Sequence, residues 1–478
     1  MRNTPRDKQG DIPGNVLPQT LKSALAALLG PSGFMSGASV PSRNHGDASV
    51  MAGAKPLAVL RPQTTEELAE AVKLCAEQSV AITVQGGLTG LCGGAIPSPG
   101  SVALSLERMN KILSIDPVAM TATIEAGVPL QALQQAAEKS GLLCPVDFGA
   151  RGSCTIGGTV ATNAGGTRVL RYGMTRQSVL GLEVVLADGS ILDDLSPMLK
   201  NNAGFDLKQL FIGSEGSLGV VTRVVLALQP KPGWSELAMV ATRDFDSAMQ
   251  AFVRARRKLG PRLSTFEVMW PDYWSMVTQN VTGCSDPFPD PHDFYFLIEA
   301  SGPEEAGCGA VLEAYLSDCF EAGIVEDAVL AKSLSETERL WAIRDASAEI
   351  EPVLGEHESF DISLPIHSLG PFAQACRTAL NEAYPQVRAV FFGHAADGNL
   401  HIMASVPMSS PAGHTAIEKI IYDLARSYRG SISAEHGIGA LKRPWLGHSR
   451  SPLELALMQN LKTTLDPNNL LNPGKVLP

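Results

Sequence analysis

The spacing of apolar and polar residues predicts two successive regions of mixed helix and strand. An amphipathic helix is predicted at residues 21–30, and a second helix, opened by the cap-like sequence TTEE, at residues 64–77. Strand-like runs bounded by Gly, Asp or Pro follow at 80–84, 102–106, 121–125, 182–187 and 219–228. We therefore expect an N-terminal segment over residues 1–54 and an α+β domain over residues 55–232.

A second region begins after the Pro-Lys-Pro sequence that ends at Pro232. Its strand patterns lie at 236–242, 263–270, 294–300, 359–365 and 387–406, and its helix patterns at 245–259, 303–321 and 368–384. This order predicts a mostly antiparallel sheet with helices on one face, over residues 233–413. Residues 414–478 are expected to be helical at both ends, with an EHGIG loop between the helices and a terminal NPGK sequence.

The composition fits a well-packed soluble protein, with 45% hydrophobic and 18% charged residues. A net charge of −11 argues against a nucleic-acid partner, which calls for clustered basic surface. No apolar run approaches the roughly 18 residues of a membrane span, and the N-terminus has no apolar signal-peptide region. The eight scattered cysteines are typical of reduced thiols, so we expect a cytoplasmic protein.

Two glycine-rich loops indicate an anion site. QGGLTGLCGGA (85–95) directly follows a strand, and GARGSCTIGGTVATNAGG (149–166) adds further glycines among Ser and Thr hydroxyls. Glycine lets backbone N–H groups approach a phosphate closely, although tight turns alone would also require glycine. Neither loop carries a G-x-G-x-x-G or Walker A sequence, so we expect a dinucleotide bound in a non-Rossmann manner.

Several motifs occur in an order that resembles one flavoprotein family. QGGLTGLCGGA, CPVDFGARGSCTIGGTVATNAGG, RYGMT, FIGSEGSLGVVT and LNPGK are similar to the PCMH-type FAD-binding domain of the vanillyl-alcohol-oxidase type flavoproteins. Within these the chain most resembles the D-lactate and D-2-hydroxyglutarate dehydrogenase branch, from about residue 20 to 478. The resemblance implies this domain, then an antiparallel substrate (cap) domain with helices, then a helical C-terminal segment.

The resemblance also implies which residues contact FAD. They are Gly86, Gly87, Leu88, Thr89, Gly90, Pro145, Gly149, Ser153, Gly157, Gly158, Ala161, Thr162, Gly165, Val221 and Asn472. Many relatives attach FAD covalently to a histidine in the first loop. This chain has Thr89 there and no histidine between His45 and His292, so we expect non-covalent FAD.

Two histidine motifs predict a metal site. In GHAADGNLH (393–401), Asp397-Gly398 favours a two-residue hairpin turn that would pair His394 directly with His401. Two facing imidazoles can bind one metal, although simple cross-strand packing is the alternative. In AEHGIG, Gly437 and Gly439 would let the adjacent Glu435 and His436 reach one cavity. The resemblance implies His394, His401 and Glu435 as ligands of a divalent metal, zinc or manganese, and His436 as general base.

The expected reaction is oxidation of a D-2-hydroxy acid, with the C2 hydride passing to FAD. The resemblance assigns Arg344 to the substrate carboxylate, where a surface helix arginine is the alternative, and Lys442 is a weaker candidate for anion attraction. The positions aligned with the distal-carboxylate contacts of hydroxyglutarate enzymes are uncharged: they are Ala348, Ser359 and Met403. A second buried carboxylate would lack a cation there, so we expect a monocarboxylate such as D-lactate.

Other readings of the sequence stay open. They are a D-2-hydroxyglutarate dehydrogenase, an FAD-dependent alcohol or carbohydrate oxidase, and a flavin- or metal-storage protein without activity. The electron acceptor is not determined by the sequence and could be an electron-transfer flavoprotein, a quinone or a cytochrome. A homodimer is also compatible with the sequence.

Overall fold

The computed structural model describes residues 16–303, 310–407 and 410–478. Part of the predicted N-terminal segment (1–15), part of the helix predicted at 303–321 (304–309) and Cys308 lie outside these ranges. The other seven cysteines are free and buried. Among the described residues, no helix is both long and apolar enough to cross a bilayer.

The first domain combines a four-stranded sheet and a five-stranded sheet around one apolar core. Its elements are α1 (Gln19–Gly33), β1 (Phe34–Ser36), β2 (Ala58–Leu60), α2 (Thr65–Glu77), β3 (Ile82–Gln85), β4 (Val102–Ser105), β5 (Ile112–Asp116), β6 (Thr121–Glu125), α3 (Leu130–Lys139), β7 (Leu142–Leu143), α4 (Ile156–Thr162), α5 (Val169–Tyr172), α6 (Thr175–Ser178), β8 (Val179–Val185), β9 (Ile191–Asp194), α7 (Lys208–Phe211), β10 (Val220–Ala227) and β11 (Gln229–Pro230). The four-stranded order is β1-β2-β4-β3 and the five-stranded order is β5-β6-β10-β8-β9. As the sequence predicted, the Thr64 side chain caps α2, accepting the N–H of Glu67.

The second domain is a seven-stranded sheet in which every neighbouring pair is antiparallel. Its elements are β12 (Trp234–Thr242), α8 (Phe245–Leu259), β13 (Leu263–Met269), α9 (Pro271–Asn280), β14 (Phe294–Gly302), α10 (Val311–Glu321), β15 (Asp327–Leu330), α11 (Leu334–Asp345), α12 (Glu351–Leu354), β16 (His357–Ser363), α13 (Leu369–Ala383), β17 (Ala389–Gly393), β18 (Asn399–Ser405) and α14 (Pro411–Ser427). The strand order is β15-β12-β14-β13-β17-β18-β16. The predicted α+β class with a mainly antiparallel second sheet is confirmed.

Helices cover both faces of this sheet, so the prediction of helices on one face is wrong. One face packs against α8, α10, α13 and α14. The other packs against α9, α11 and α12. Strand side chains alternate between the faces, and the second face therefore receives Glu267, Phe392, His401 and Met403 together. The sequence pattern did not predict α9 and α11, because the runs of apolar residues in these two helices are short and interrupted by polar residues.

The C-terminal residues contribute to both domains. Ile417, Ile421 and Tyr422 of α14 belong to the core of the seven-stranded sheet. After α15 (Pro452–Leu465), Leu470 and Leu471 enter the core of the first domain. The Ile82 N–H donates to Leu470 O at 2.8 Å, and the Asn472 N–H donates to Ile82 O at 2.8 Å. The chain thus returns to the edge of β3, beside the first glycine loop.

Candidate active site

A single cavity of about 1280 Å³ is lined by both glycine loops and by the second face of the seven-stranded sheet. All six residues predicted to act on metal or substrate are on its wall: His394, His401, Glu435, His436, Arg344 and Lys442. The structure thus brings together side chains that lie up to 98 positions apart in the sequence, from Arg344 to Lys442, because β17, β18, α11 and the loop after α14 meet at this face.

The two histidines of GHAADGNLH approach each other, but the predicted hairpin register is wrong. Phe392, not His394, lies opposite His401. The loop between β17 and β18 spans residues 394–398, because Ala395 and Ala396 are buried in the core and the Gly398 carbonyl accepts the Leu364 N–H at 2.8 Å. His394 is consequently a diagonal neighbour of His401, and the two ring centroids are 5.3 Å apart.

Glu435 completes a group of three ligand-type side chains. Ligand atoms of His394, His401 and Glu435 all lie within 4.8 Å of one another. His394 Nε2 is 3.9 Å from Glu435 Oε2, while Glu435 Oε1 accepts the Gly166 N–H at 2.6 Å. Two imidazoles and a carboxylate are a donor set that divalent zinc uses in catalytic sites. Asp361, Glu435 and His436 form a second such group. Asp361 Oδ2 accepts backbone N–H groups of the EHGIG loop, whereas its buried Oδ1 has no hydrogen-bond partner among the described residues.

Two buried carboxylates hold the EHGIG loop in place. Asp361 Oδ2 accepts the backbone N–H groups of Ala434, Glu435 and His436 at 3.1, 2.8 and 2.9 Å. Glu215, from the first domain, accepts the N–H groups of Ile438 and Gly439 at 2.7 and 2.9 Å. The loop is thereby fixed from both domains, and Glu435 and His436 both face the cavity.

His436 and Lys442 both lie close to Asp361. His436 Nδ1 is 3.8 Å from Asp361 Oδ2, and Lys442 Nζ is 3.9 Å from the same atom. Burial alone would raise the pKa of Asp361, but the charges of His436, Lys442 and His401 hold it well below its usual value. Lys442 Nζ also donates to Ser433 Oγ at 3.1 Å, so its ammonium faces Asp361 and Ser433 as well as the cavity.

Arg344 is buried at the end of α11 and contacts a carboxylate that the sequence analysis missed. Its Nε donates to Glu267 Oε2 at 2.9 Å, and its Nη2 lies 3.2 Å from His394 Nε2. Glu267 Oε1 is 2.6 Å from His394 Nδ1. Burial lowers the pKa of His394, but Glu267 outweighs this and raises it to about 9. Burial and the neighbouring His394 hold the pKa of His401 well below its usual value.

The comparisons with known proteins match both domains. The sequence matches the FAD binding domain family over residues 56–194 and the family described as FAD linked oxidases, C-terminal domain, over residues 231–476. The chain belongs to the FAD-linked oxidases. This assignment also agrees with the glycine loops and the domain order.

Among curated relatives of this FAD-linked oxidase, the mitochondrial D-2-hydroxyglutarate dehydrogenase of Arabidopsis thaliana is 40% identical, over 88% of this chain and 75% of its own. The D-2-hydroxyglutarate dehydrogenase of Xanthomonas citri pv. viticola is 41% identical, over 88% and 89%. A putative mitochondrial D-lactate dehydrogenase of Schizosaccharomyces pombe is 37% identical, over 87% and 81%.

Solved structures share the fold of this FAD-linked oxidase at low sequence identity. An alkyldihydroxyacetonephosphate synthase superimposes with a TM-score of 0.74 at 21% identity, covering 99% of this chain and 88% of the other. A p-cresol methylhydroxylase superimposes with a TM-score of 0.75 at 17% identity, covering 95% and 96%. At these identities the likeness concerns the fold alone, and it confirms the fold class expected from the sequence.

The cavity wall of the FAD-linked oxidase suits a dinucleotide held by backbone groups. A Cβ atom on Gly87 would lie 2.1 Å from Ser153 O, and one on Gly157 would lie 2.6 Å from the Ala126 Cβ, so glycine is needed for the loops to pack this closely. Thr155 Oγ1 is buried on this wall without a partner among the described residues, as befits a hydroxyl that contacts a phosphate.

All the residues predicted to contact FAD line this cavity except Pro145 and Ser153. Pro145 is buried, and Ser153 is exposed to solvent. The two residues that follow Ser153, Cys154 and Thr155, are on the wall instead. The wall also includes Ala48, Ser49 and Val50, which the sequence analysis had assigned only to an N-terminal segment.

Three acidic residues of the site, Glu215, Glu267 and Asp361, escaped the sequence analysis. A usable signal was present for Glu267, which is the single carboxylate of a strand that is otherwise apolar or small (LSTFEVM). The signal was weaker for Asp361, because its strand (HESFDIS) also contains Glu358. A charged residue that is buried needs a partner. Glu215 offers no such pattern, because it lies in a glycine-rich loop.

Proposed function

We propose that this FAD-linked oxidase oxidises D-2-hydroxy acids to 2-oxo acids with the help of a divalent metal. The observation that carries the proposal is the group His394, His401 and Glu435, with His436 and Arg344 beside it, on the wall of the cavity that the glycine loops share. The names of the curated relatives support the same substrate class.

Different residues of the chain have different roles in the proposed reaction. Gly86, Gly87, Gly157, Gly158 and their loop neighbours would hold FAD, and His394, His401 and Glu435 would hold the metal. When bound, the metal polarises the substrate hydroxyl and FAD accepts the hydride. His436 takes the hydroxyl proton on its imidazole, with the carboxylate of Asp361 close enough to stabilise the resulting charge. Arg344 orients the substrate carboxylate through guanidinium N–H groups that Glu267 does not use.

We further propose that the preferred substrate is a monocarboxylate such as D-lactate. Of the three described arginines on the cavity wall, Arg344 contacts His394, with Nη2 3.2 Å from His394 Nε2, whereas Arg151 and Arg168 contact Asp147. Ala348, Ser359 and Met403 also line the cavity and bring no charge for a second carboxylate. The alternative is D-2-hydroxyglutarate, which two of the three relatives named above act on according to their names.

The test is anaerobic mixing of the purified flavoprotein with D- and L-lactate and D- and L-2-hydroxyglutarate, followed by bleaching of the flavin. We expect D-lactate to exceed D-2-hydroxyglutarate in kcat/KM by at least about tenfold, which corresponds to about 1.4 kcal/mol. Prior removal of metal with EDTA should abolish bleaching, and Zn²⁺ or Mn²⁺ should restore it. Full activity after EDTA would contradict the metal-assisted mechanism.

A variant tests the substrate preference independently. Ser359→Lys places an ammonium on the same face of the sheet as His401 and is expected to lower the KM for D-2-hydroxyglutarate more than that for D-lactate. A wild-type preference for D-2-hydroxyglutarate would show that another cation contacts the distal carboxylate. Hydrogen peroxide formed steadily from an alcohol or sugar, with air as sole acceptor, would favour an oxidase of the same family.

A further inference from the structure

Glu267 is a buried carboxylate that contacts two residues of the cavity wall, His394 and Arg344. It lies on β13, its side chain is 2% exposed, and it faces the side of the sheet that carries His401 and Met403. One oxygen, Oε1, is 2.6 Å from His394 Nδ1, and the other, Oε2, is 2.9 Å from Arg344 Nε. Among the described residues, no other acidic side chain accepts hydrogen bonds from both His394 and Arg344.

The contact with Glu267 decides which ring nitrogen of His394 is available to bind a metal. An ionised carboxylate only accepts hydrogen bonds, so His394 Nδ1 must carry a proton and donate it to Glu267. Nε2 is then the nitrogen that can bind a metal, and it is the atom 3.9 Å from Glu435 Oε2. Metal-ligating histidines commonly use their second nitrogen in this way, and loss of the partner typically weakens metal binding about 10–100-fold.

The contact to Arg344 helps to fix the direction of the guanidinium. Glu267 holds Nε, and the more exposed Asp345 accepts from Nη1 at 3.2 Å. Nη2 lies 3.2 Å from His394 Nε2, next to the proposed metal position. The guanidinium carbon is also 5.9 Å from the ring centre of Phe392. A substrate carboxylate bound to the metal would therefore lie beside Arg344.

We propose that Glu267 is a positioning residue that aligns the metal-binding nitrogen of His394 with the guanidinium of Arg344. The inference rests on the proposed function. Stability alone does not account for the arrangement, because desolvation of a buried ion pair offsets most of its attraction. One carboxylate that holds both residues sets the distance between the metal and the carboxylate-binding group, which a chelating 2-hydroxy acid must match.

The test uses Glu267→Gln in the full-length flavoprotein, with Glu183→Gln as matched control. Glutamine has almost the same shape, but its amide group presents one acceptor and one donor, so His394 and Arg344 cannot both keep their partner. Glu183 is also a buried glutamate that pairs with an arginine, Arg223, at 3.3 Å, but its partners Thr65, Thr222 and Arg223 do not line the cavity. The measurements are Zn²⁺ affinity by chelator competition, KM and kcat at saturating Zn²⁺, the flavin spectrum and the Tm.

For Glu267→Gln we expect Zn²⁺ affinity to fall about 10–100-fold and the KM for the hydroxy acid to rise even at saturating Zn²⁺, with an unchanged flavin spectrum. Glu183→Gln should lower the Tm without changing Zn²⁺ affinity or KM. Zn²⁺ affinity of Glu267→Gln within about twofold of wild type would overturn the inference while leaving the proposed function intact. A wild-type protein that binds no Zn²⁺ and oxidises no D-2-hydroxy acid would overturn both.

Two further measurements apply if Glu267→Gln does not fold. Glu267→Asp keeps the charge but is one bond shorter, so it cannot reach both partners and should also bind Zn²⁺ more weakly. In the wild-type protein, histidine-selective nitrogen NMR should show Zn²⁺ on Nε2 of His394 and a proton on Nδ1. Coordination through Nδ1 would overturn the inference without any variant.

Discussion

Glu435 and His436 are adjacent in the chain, yet their side chains have different neighbours. The Glu435 carboxylate accepts the Gly166 N–H and also lies close to the two histidines His394 and His401. His436 lies beside Asp361, and its ring stacks near that of His401, with centroids 6.1 Å apart. These different neighbours agree with the different roles proposed for the two residues, a metal ligand for Glu435 and a proton acceptor for His436.

Variants of these two residues should therefore differ. His436→Ala should retain Zn²⁺ and substrate but slow flavin reduction by about 10²–10⁴-fold, because the hydroxyl proton loses its acceptor. Glu435→Ala should lose Zn²⁺ as well as rate. Stopped-flow flavin reduction and metal analysis of the same samples distinguish them. Equal loss of Zn²⁺ in both variants would contradict the assignment of His436 as base.

A second residue-scale prediction concerns Glu418, on the cavity wall at α14. Burial and the nearby Glu358 raise the pKa of Glu418 to about 7. The folded state then binds more protons than the unfolded state, so this residue contributes stability below about pH 4.5 that is lost as the pH rises through about 7. Glu418→Gln should stabilise the protein at pH 8, on the order of 1 kcal/mol after solvent screening.

Thermal unfolding of wild type and Glu418→Gln at pH 5 and pH 8 checks this. The difference in Tm should favour the variant at pH 8 and shrink at pH 5. Burial lowers the pKa of the neighbouring His414, but its contacts with Glu356 and Glu358 raise this pKa overall. His414→Gln therefore serves as the control. A Tm difference that does not change with pH would show that Glu418 titrates normally.

At the scale of single elements, the EHGIG loop has no regular secondary structure of its own. Its order comes from Asp361 on β16 and Glu215 before β10, which together accept four of its backbone N–H groups and that of the preceding Ala434. Gly437 and Gly439 have φ of +79° and +53°, so the loop also depends on glycine at these positions. Residues of both domains therefore hold this one loop.

The variant Glu215→Gln tests whether the Glu215 carboxylate holds the loop in this way. Glutamine can accept one of the two N–H groups but opposes the other with its own donor, so the loop should loosen at a cost of about 1–3 kcal/mol. Amide hydrogen exchange over residues 434–439 should become faster. Glu125→Gln, in which a buried glutamate of the same domain accepts the Lys111 N–H at 2.8 Å, should leave exchange in this loop unchanged. Unchanged exchange in Glu215→Gln would mean that Asp361 alone holds the loop.

At the scale of the whole molecule, the cavity is built from nearly the full length of the chain. Residues 48–50 line it near the start of the described chain, and Asn472 lines it near the end. Asn472 accepts the Val84 N–H and donates to the Glu215 carbonyl, and the Val476 N–H donates to Gly439 O. The C-terminal tail therefore connects the first glycine loop with the EHGIG loop.

The residues around the glycine loops support the expectation that FAD is bound non-covalently. Neither glycine loop contains histidine. Burial raises the pKa of Cys92 to about 12 and that of Cys154 to about 11, so neither thiol is nucleophilic at neutral pH. Acid or heat precipitation should release the flavin into the supernatant. Flavin that stays with the precipitated polypeptide would point to Cys92 or Cys154 as the attachment site.

The sequence by itself determined most of the strands and helices, although not α9 and α11, and it indicated the side chains that the structure brings together at the candidate site. The helix and strand periods, the glycine loops and the two histidine motifs are local patterns, and the structure places the side chains that they mark on one cavity. Local patterns suffice because side-chain periodicity and glycine conformation depend on near neighbours in the chain.

Only the tertiary structure decided the strand register and the partners of the buried carboxylates. His394 is diagonal to His401 because β16 and the core fix the length of the hairpin loop, which the Asp397-Gly398 pair does not reveal. Glu267, Asp361 and Glu215 contact residues 127, 75 and 223 positions away. Such pairings depend on how sheets and loops pack, and burial then makes each contact obligatory, because a buried carboxylate without a partner is strongly unfavourable.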